Sequence, residues 1–162
     1  MGFPSSSKVP LLGLGISTAW VALDQITKTI AQNDLSSGPR LFFGQIGFKL
    51  IYNSGIAFGI ASGSSSVITI FDLLVSGVLV YALLRTTRVL LAVGIALVLG
   101  GSLGNVMDRL FRHNGGGVID FLHSGFWPTF NFADLGVVTG LIIIILNISR
   151  SERKARMFDP RA

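Results

Sequence analysis

The sequence predicts an α-helical polytopic membrane protein, with four transmembrane helices, strands in the loops between them and a short interfacial helix or loop. Three observations carry that prediction. Of the 162 residues only 13% are charged and 50% are apolar, against about 25% charged in an average soluble domain. The apolar residues gather into four runs, each approaching the roughly 20 residues a helix needs to cross a bilayer. Between the first two runs the pattern changes to period two, which suits a strand and not a helix. One domain, 1–162, accounts for the length.

The spans fall at about 9–26, 66–84, 89–107 and 132–148. Helix is the expected form, because in hydrocarbon an isolated span must satisfy every backbone group internally. Lys8 before the first apolar run gives it some likeness to a secretory signal. It lacks an A-x-A site, and Asp24, Gln25 and Lys28 follow directly, so a retained span is the better reading. The start "MGFPSS" matches a myristoylation pattern too short to carry weight. In the first loop, about 28–65, Ile46, Phe48, Leu50 and Tyr52 alternate with Gly47, Lys49 and Ile51, which reads as a strand on an apolar surface. "GVIDFL" in the second loop, about 108–131, is the expected partner strand. "SGIAFGIASGSSS" reads as a short helix or loop dipping into the interface, ending in a turn. Gly100 and Gly104, and Gly136 and Gly140, have the four-residue spacing of close helix packing.

Formal net charge is +5. The basic residues collect between and after the apolar runs, most densely in the tail 149–162, so they suit topology signals and lipid headgroups rather than nucleic acid. With four spans, eight Lys and Arg fall on the side of the termini and five on the other. The positive-inside rule then places both termini in the cytoplasm and both long loops outside. Cysteine is absent, which excludes disulfides, thiolate zinc sites and a cysteine nucleophile. His113 and His123 lie ten apart with no metal-ligand spacing, and neither a metal nor an organic cofactor is expected.

The informative residues are the polar ones near the outer membrane ends, where ionisable groups are costly and often functional. Asp24 and Lys28 share a helix face at i, i+4, as a functional pair or as a structural ion pair with a snorkelling lysine. Asn53 reads first as a turn residue. Asn105 shares a face with Asp108 and Arg109, and an internal Asp108–Arg109 pair is the plainest account of those two. Asp72, inside the second span, has no assigned role. Asn131 precedes Asp134 at N-cap spacing. Taken singly, Asp134 is a helix-start acid and Asp120 an edge-strand acid facing water. If strand 118–122 returns beside the start of the fourth span, the two carboxylates approach each other. Such a pair resists double ionisation and keeps one proton. Water-mediated peptide hydrolysis needs that combination, a carboxylate to activate water and a carboxylic acid to polarise the carbonyl.

"DQITK" (24–28), "YNSGIAFG" (52–59), "GGSLGNVMDR" (100–109), "VIDF" (118–121) and "FNFAD" (130–134) occur in this order. The sequence thereby resembles the bacterial lipoprotein signal peptidases, or signal peptidase II, an aspartic membrane peptidase family. The resemblance covers nearly all of 9–148. It implies cleavage of signal peptides from prolipoproteins, immediately before a cysteine that carries diacylglycerol. It places the catalytic aspartates at Asp120 and Asp134. The family's other motif positions fall on Asp24, Lys28, Asn53, Gly101, Asn105, Asp108, Arg109, Asn131 and Ala133, as substrate-binding or dyad-supporting residues. It further implies an extracytoplasmic cradle, the bacterial inner membrane, an active site at its outer face, membrane lipids and a lipidated prolipoprotein as partners, and a monomer. The substrate would enter laterally, and the first loop near Phe58 could cover the site.

Three other readings compete. A small proton-coupled transporter would explain carboxylates in spans, but these gather at one interface and no repeated half is visible. A serine–lysine peptidase would need a serine at a useful spacing from Lys28, and Ser17 lies 11 residues away. A non-catalytic assembly subunit fits composition alone.

Overall fold

A computed structural model describes residues 8–42, 45–55 and 65–157, with side chains to 150. The helices are α1 (Lys8–Asp34), α2 (Ser65–Arg85), α3 (Val89–Phe111) and α4 (Phe132–Met157), and the strands are β1 (Arg40–Phe42), β2 (Ile46–Asn53) and β3 (Val118–His123). All four helices are long and apolar enough to cross a membrane. The expected strand pair is present as β2 and β3, antiparallel, and β1 adds a third strand in the order β1-β2-β3 that the sequence pattern did not announce. The expected interfacial helix or loop, and the cover near Phe58, fall largely on 56–64, outside the described residues.

α3 is the hub. Its spanning window is 61% buried, against about a fifth for each of the others, and it packs against α1, α2 and α4. Glycines make this packing possible. A Cβ on Gly140 would lie 2.5 Å from the Gly94 carbonyl oxygen, and one on Gly100 would lie 2.9 Å from that of Ser17. With little hydrophobic drive between helices in lipid, such backbone approach supplies the van der Waals contact that holds them. The outward faces are apolar: α2 exposes Val67, Ile70, Phe71, Leu74 and Val78. In water that would be a liability; in a bilayer it is the solvent-facing surface.

α1 and α3 run past their predicted ends, to Asp34 and Phe111. The apolar run stops, but the helices continue because their polar outer turns pair with each other. A second small core, of Ala31, Leu35, Ile119 and Phe121, then seats β3 on the outer end of α1.

Candidate active site

The two helix extensions meet in a buried ion cluster. Lys28 is 0% exposed, and its Nζ lies 2.9 Å from carboxylate oxygens of both Asp24 and Asp108. It also donates to Asn105 Oδ1 at 2.9 Å. The snorkelling reading of Lys28 is therefore wrong; three acceptors compensate the ammonium inside the protein. Asp108 does not pair with Arg109 either. It takes Lys28 and the Arg112 Nε at 3.1 Å, and accepts the Ile119 N–H at 3.0 Å. Adjacent helical residues point about 100° apart, whereas i, i+4 residues share a face. Arg109 turns instead to α2 and pairs with Asp72 at 2.9 Å. Its side chain is 7% exposed, and among the described residues its Nε has no partner.

Asp24 reaches across to α4, where its Oδ1 accepts the Ala133 N–H at 2.8 Å. Small residues permit this. A Cβ on Gly101 would collide with the Ala133 carbonyl oxygen, and one on Gly104 would lie 2.5 Å from Asp24 Oδ2. The cluster thus grips the start of α4, as does Trp20, whose indole N–H donates to the Phe132 carbonyl at 3.1 Å.

α4 begins with a reciprocal cap. Asn131 Oδ1 accepts the Asp134 N–H at 3.0 Å, and Asp134 Oδ2 accepts the Asn131 N–H at 3.1 Å. This is a capping box with Asp in the acidic position. The second face of Asp134, Oδ1, accepts Asn105 Nδ2 at 3.1 Å. Asn131 Nδ2 donates in the other direction, to Asp120 Oδ1 at 2.7 Å. One asparagine therefore bonds both carboxylates and brings them into a common site. Asn53 completes it from the end of β2. Its Nδ2 donates to Asp120 Oδ2 at 3.0 Å, while its Oδ1 accepts the Gly55 N–H at 3.1 Å, so it is a turn residue and a carboxylate ligand together.

Asp120 does not face water: it is 3% exposed, although β3 is an edge strand. The 130 segment covers that edge, with Phe130 bridged to Leu122. Burial pushes the Asp120 carboxyl up to about 6; the Asn53 hydrogen bond pulls it down, Asp134 pushes it up, and Asn131 and Lys28 pull it down. An acid of this kind keeps its proton up to about pH 6, well above an ordinary carboxyl.

Ten of the eleven residues singled out from the sequence join this connected arrangement; the eleventh, Arg109, turns to α2 and pairs with Asp72. Gln25 and Arg112 were missed. The Gln25 amide donates to the Gly104 carbonyl and to Asp108, and its oxygen accepts from Arg112 Nε at 3.3 Å. The i, i+4 spacing of Asp108 and Arg112 was the available signal. Among the described residues no group of His, Asp and Glu could hold a metal ion. Beside Asp134, an apolar pocket of about 440 Å³ opens between the 124–130 segment and α4, lined by Phe126, Trp127, Leu135 and Val138.

Comparison with known proteins adds three findings. A family model described as signal peptidase (SPase) II matches residues 16–150. The chain is similar to a lipoprotein signal peptidase of Mycobacterium avium, 39% identical over 82% of this chain and 76% of that one. A lipoprotein signal peptidase of Rhodococcus jostii is 38% identical over 88% and 75%. Two solved structures of bacterial membrane enzymes superpose with TM-scores of 0.77 and 0.72, at 27% and 28% identity, covering 87% and 85% of this chain and 89% and 92% of theirs.

Proposed function

The chain belongs to the signal peptidase II family, and on that premise we propose that it removes signal peptides from diacylglyceryl-modified prolipoproteins by means of Asp120 and Asp134. Family membership makes it a peptidase of a bacterial membrane. The finer reading rests above all on one observation: Asn131 bonds to both carboxylates, and one of them is pushed up to about 6.

The pair carries one proton. Its ionised member takes a proton from water as the water oxygen attacks the scissile carbonyl carbon. Its neutral member donates to the carbonyl oxygen, giving a tetrahedral gem-diol. On collapse the protonated carboxyl of the pair gives its proton to the leaving nitrogen, the ionised one takes a proton from a gem-diol hydroxyl, the C–N bond breaks, and the new acid ionises to solvent. The signal peptide leaves with a new carboxylate, and the lipidated cysteine with a free α-amine. One proton remains on the pair, so the cycle closes. The titration belongs to the pair, and neither role is assigned to one aspartate.

The supporting residues divide the remaining work. Asn53, Asn105 and Asn131 orient the carboxylates through their amides. Asp24, Lys28 and Asp108, with Gly101 and Ala133, fix the start of α4 against α1 and α3. Arg109, paired with Asp72, ties the outer end of α3 to α2. The positive-inside count puts both termini in the cytoplasm and this site at the outer face. A substrate anchored by an apolar helix and two acyl chains reaches such a site sideways from the bilayer, and one chain supplies every residue named, which fits a monomer.

Supply of a prolipoprotein with and without its diacylglyceryl group, to protein in bilayers, tests the reading. We expect cleavage only of the modified form, with lipidated cysteine as the new N-terminal residue. Equal cleavage of both forms, or a cut elsewhere, contradicts it.

A further inference from the structure

A second cleft lies between the sheet and the outer end of α1. It has a volume of about 430 Å³ and is lined by Ile30, Ala31, Phe48, Phe121, Leu122 and Phe132. That volume falls within the range of roughly 300–1,000 Å³ typical of small-ligand pockets. The proposed peptidase mechanism makes no use of it.

Two features indicate what fills it. First, the cleft continues the lipid-facing surface. Leu23, Ile26 and Ile30 are exposed along one stripe of α1, at i, i+3 and i+7, and the stripe runs up into the cleft at Ile30. On the facing sheet, the register pairs Phe42 with Ile46 and Arg40 with Phe48, so these four side chains share one face, and Phe42, Ile46 and Phe48 are exposed apolar groups. A hydrocarbon chain lying against α1 therefore meets apolar surface without a break from the span to the cleft. Second, the rim carries one charge of each sign. Arg40 and Asp34 both line the cleft, and no ion pair joins them; Arg40 Nη2 donates to the Asp34 backbone carbonyl, at 3.3 Å. Aqueous ligands would not need the apolar stripe, and a bare hydrocarbon would not need the charges.

We propose that this cleft binds a phospholipid of the leaflet that borders the sheet, with an acyl chain between Ile30 and Phe48 and a zwitterionic headgroup at the rim, phosphate to Arg40 and primary ammonium to Asp34. The bound lipid seats β3, because Phe121 and Leu122, next to Asp120 in sequence, form part of its wall. The proposal does not depend on the peptidase reading.

The test uses the full chain, without substrate, in nanodiscs containing phosphatidylethanolamine with a photoreactive acyl chain. Crosslinked peptides are mapped by mass spectrometry. We expect the main adducts in the 27–35 and 46–53 segments, reduced at least fivefold by Phe48→Asp and several-fold by Arg40→Glu, with helical circular dichroism unchanged. Unlabelled phosphatidylethanolamine should displace the probe better than phosphatidylcholine, whose quaternary ammonium cannot donate to Asp34. Adducts spread evenly over the four helices, adducts unaffected by either variant, or equal displacement by the two lipids would overturn the proposal. So would labelling of these segments that appears only when lipidated prolipoprotein is added, since the cleft would then belong to the substrate.

Discussion

Asn53 touches Asp120 without being titratable, so it can tune the pair cleanly. Its hydrogen bond favours the ionised carboxyl and holds the Asp120 value down against burial. The proposed dyad works with one proton, so activity should fall on the alkaline side as that proton leaves. Asn53→Ala removes the opposing hydrogen bond, and its alkaline limb should move to higher pH with a lower maximal rate. A kcat/KM profile measured against pH checks this, and an unmoved limb would separate Asn53 from the carboxylate. The same raised carboxyl bears on stability. Its folded-state value, about 6, lies above the ordinary 3.8, so the stabilisation it gives is full below about 4 and is lost as pH rises through 6. Unfolding midpoints across that window should show a fall in wild type that Asp120→Asn lacks. At Lys28 the effect is larger. Lys28→Met leaves Asp24 and Asp108 buried with a lost counter-charge, and removal of one partner from a buried ion pair costs about 3–5 kcal/mol. Denaturant titration in detergent should show a loss of that order, with activity abolished.

At the scale of elements, the start of α4 matters most. It is fixed by its own cap, by Asp24 and by the close approach of Gly101. Gly101→Val should separate α3 from α4, draw Asn105 away from Asp134 and remove activity while the helices remain; circular dichroism beside a turnover assay distinguishes this from unfolding. Sequence legibility differed between elements for physical reasons. The four spans and the β2–β3 pair were readable because hydropathy and period-two alternation are local signals. β1 was not, because three residues of an edge strand carry no periodicity. The outer turns of α1 and α3 were missed for another reason: their polar residues look like loop until partners on the other helix are known. For the candidate site, the motifs named the residues but not their pairings. Adjacent Asp108 and Arg109 invited a pair that helix geometry forbids, and Asp72 looked idle because its partner lies 37 positions away.

Over the whole molecule, the architecture separates two tasks. α3, packed on three sides, is the rigid post to which the other helices are pinned by glycine contacts. The charged network at its outer end turns that post into a platform. Onto the platform α4 delivers Asp134 and the sheet delivers Asp120. The carboxylates consequently meet where the apolar bundle gives way to the sheet, with apolar surface beside them that opens sideways past Trp127 and Val138. A peptidase whose substrate is held in the bilayer needs water at the bond and lipid at the anchor, and this junction has access to both.

The most direct test of the dyad is turnover by Asp120→Asn and Asp134→Asn proteins, purified in bilayers, on a diacylglyceryl-modified prolipoprotein, with helical content and unfolding midpoint measured on the same samples. Both variants should retain their fold and lose cleavage by at least a thousandfold, roughly 4 kcal/mol of transition-state stabilisation; cleavage at the wild-type rate by either folded variant would contradict the account.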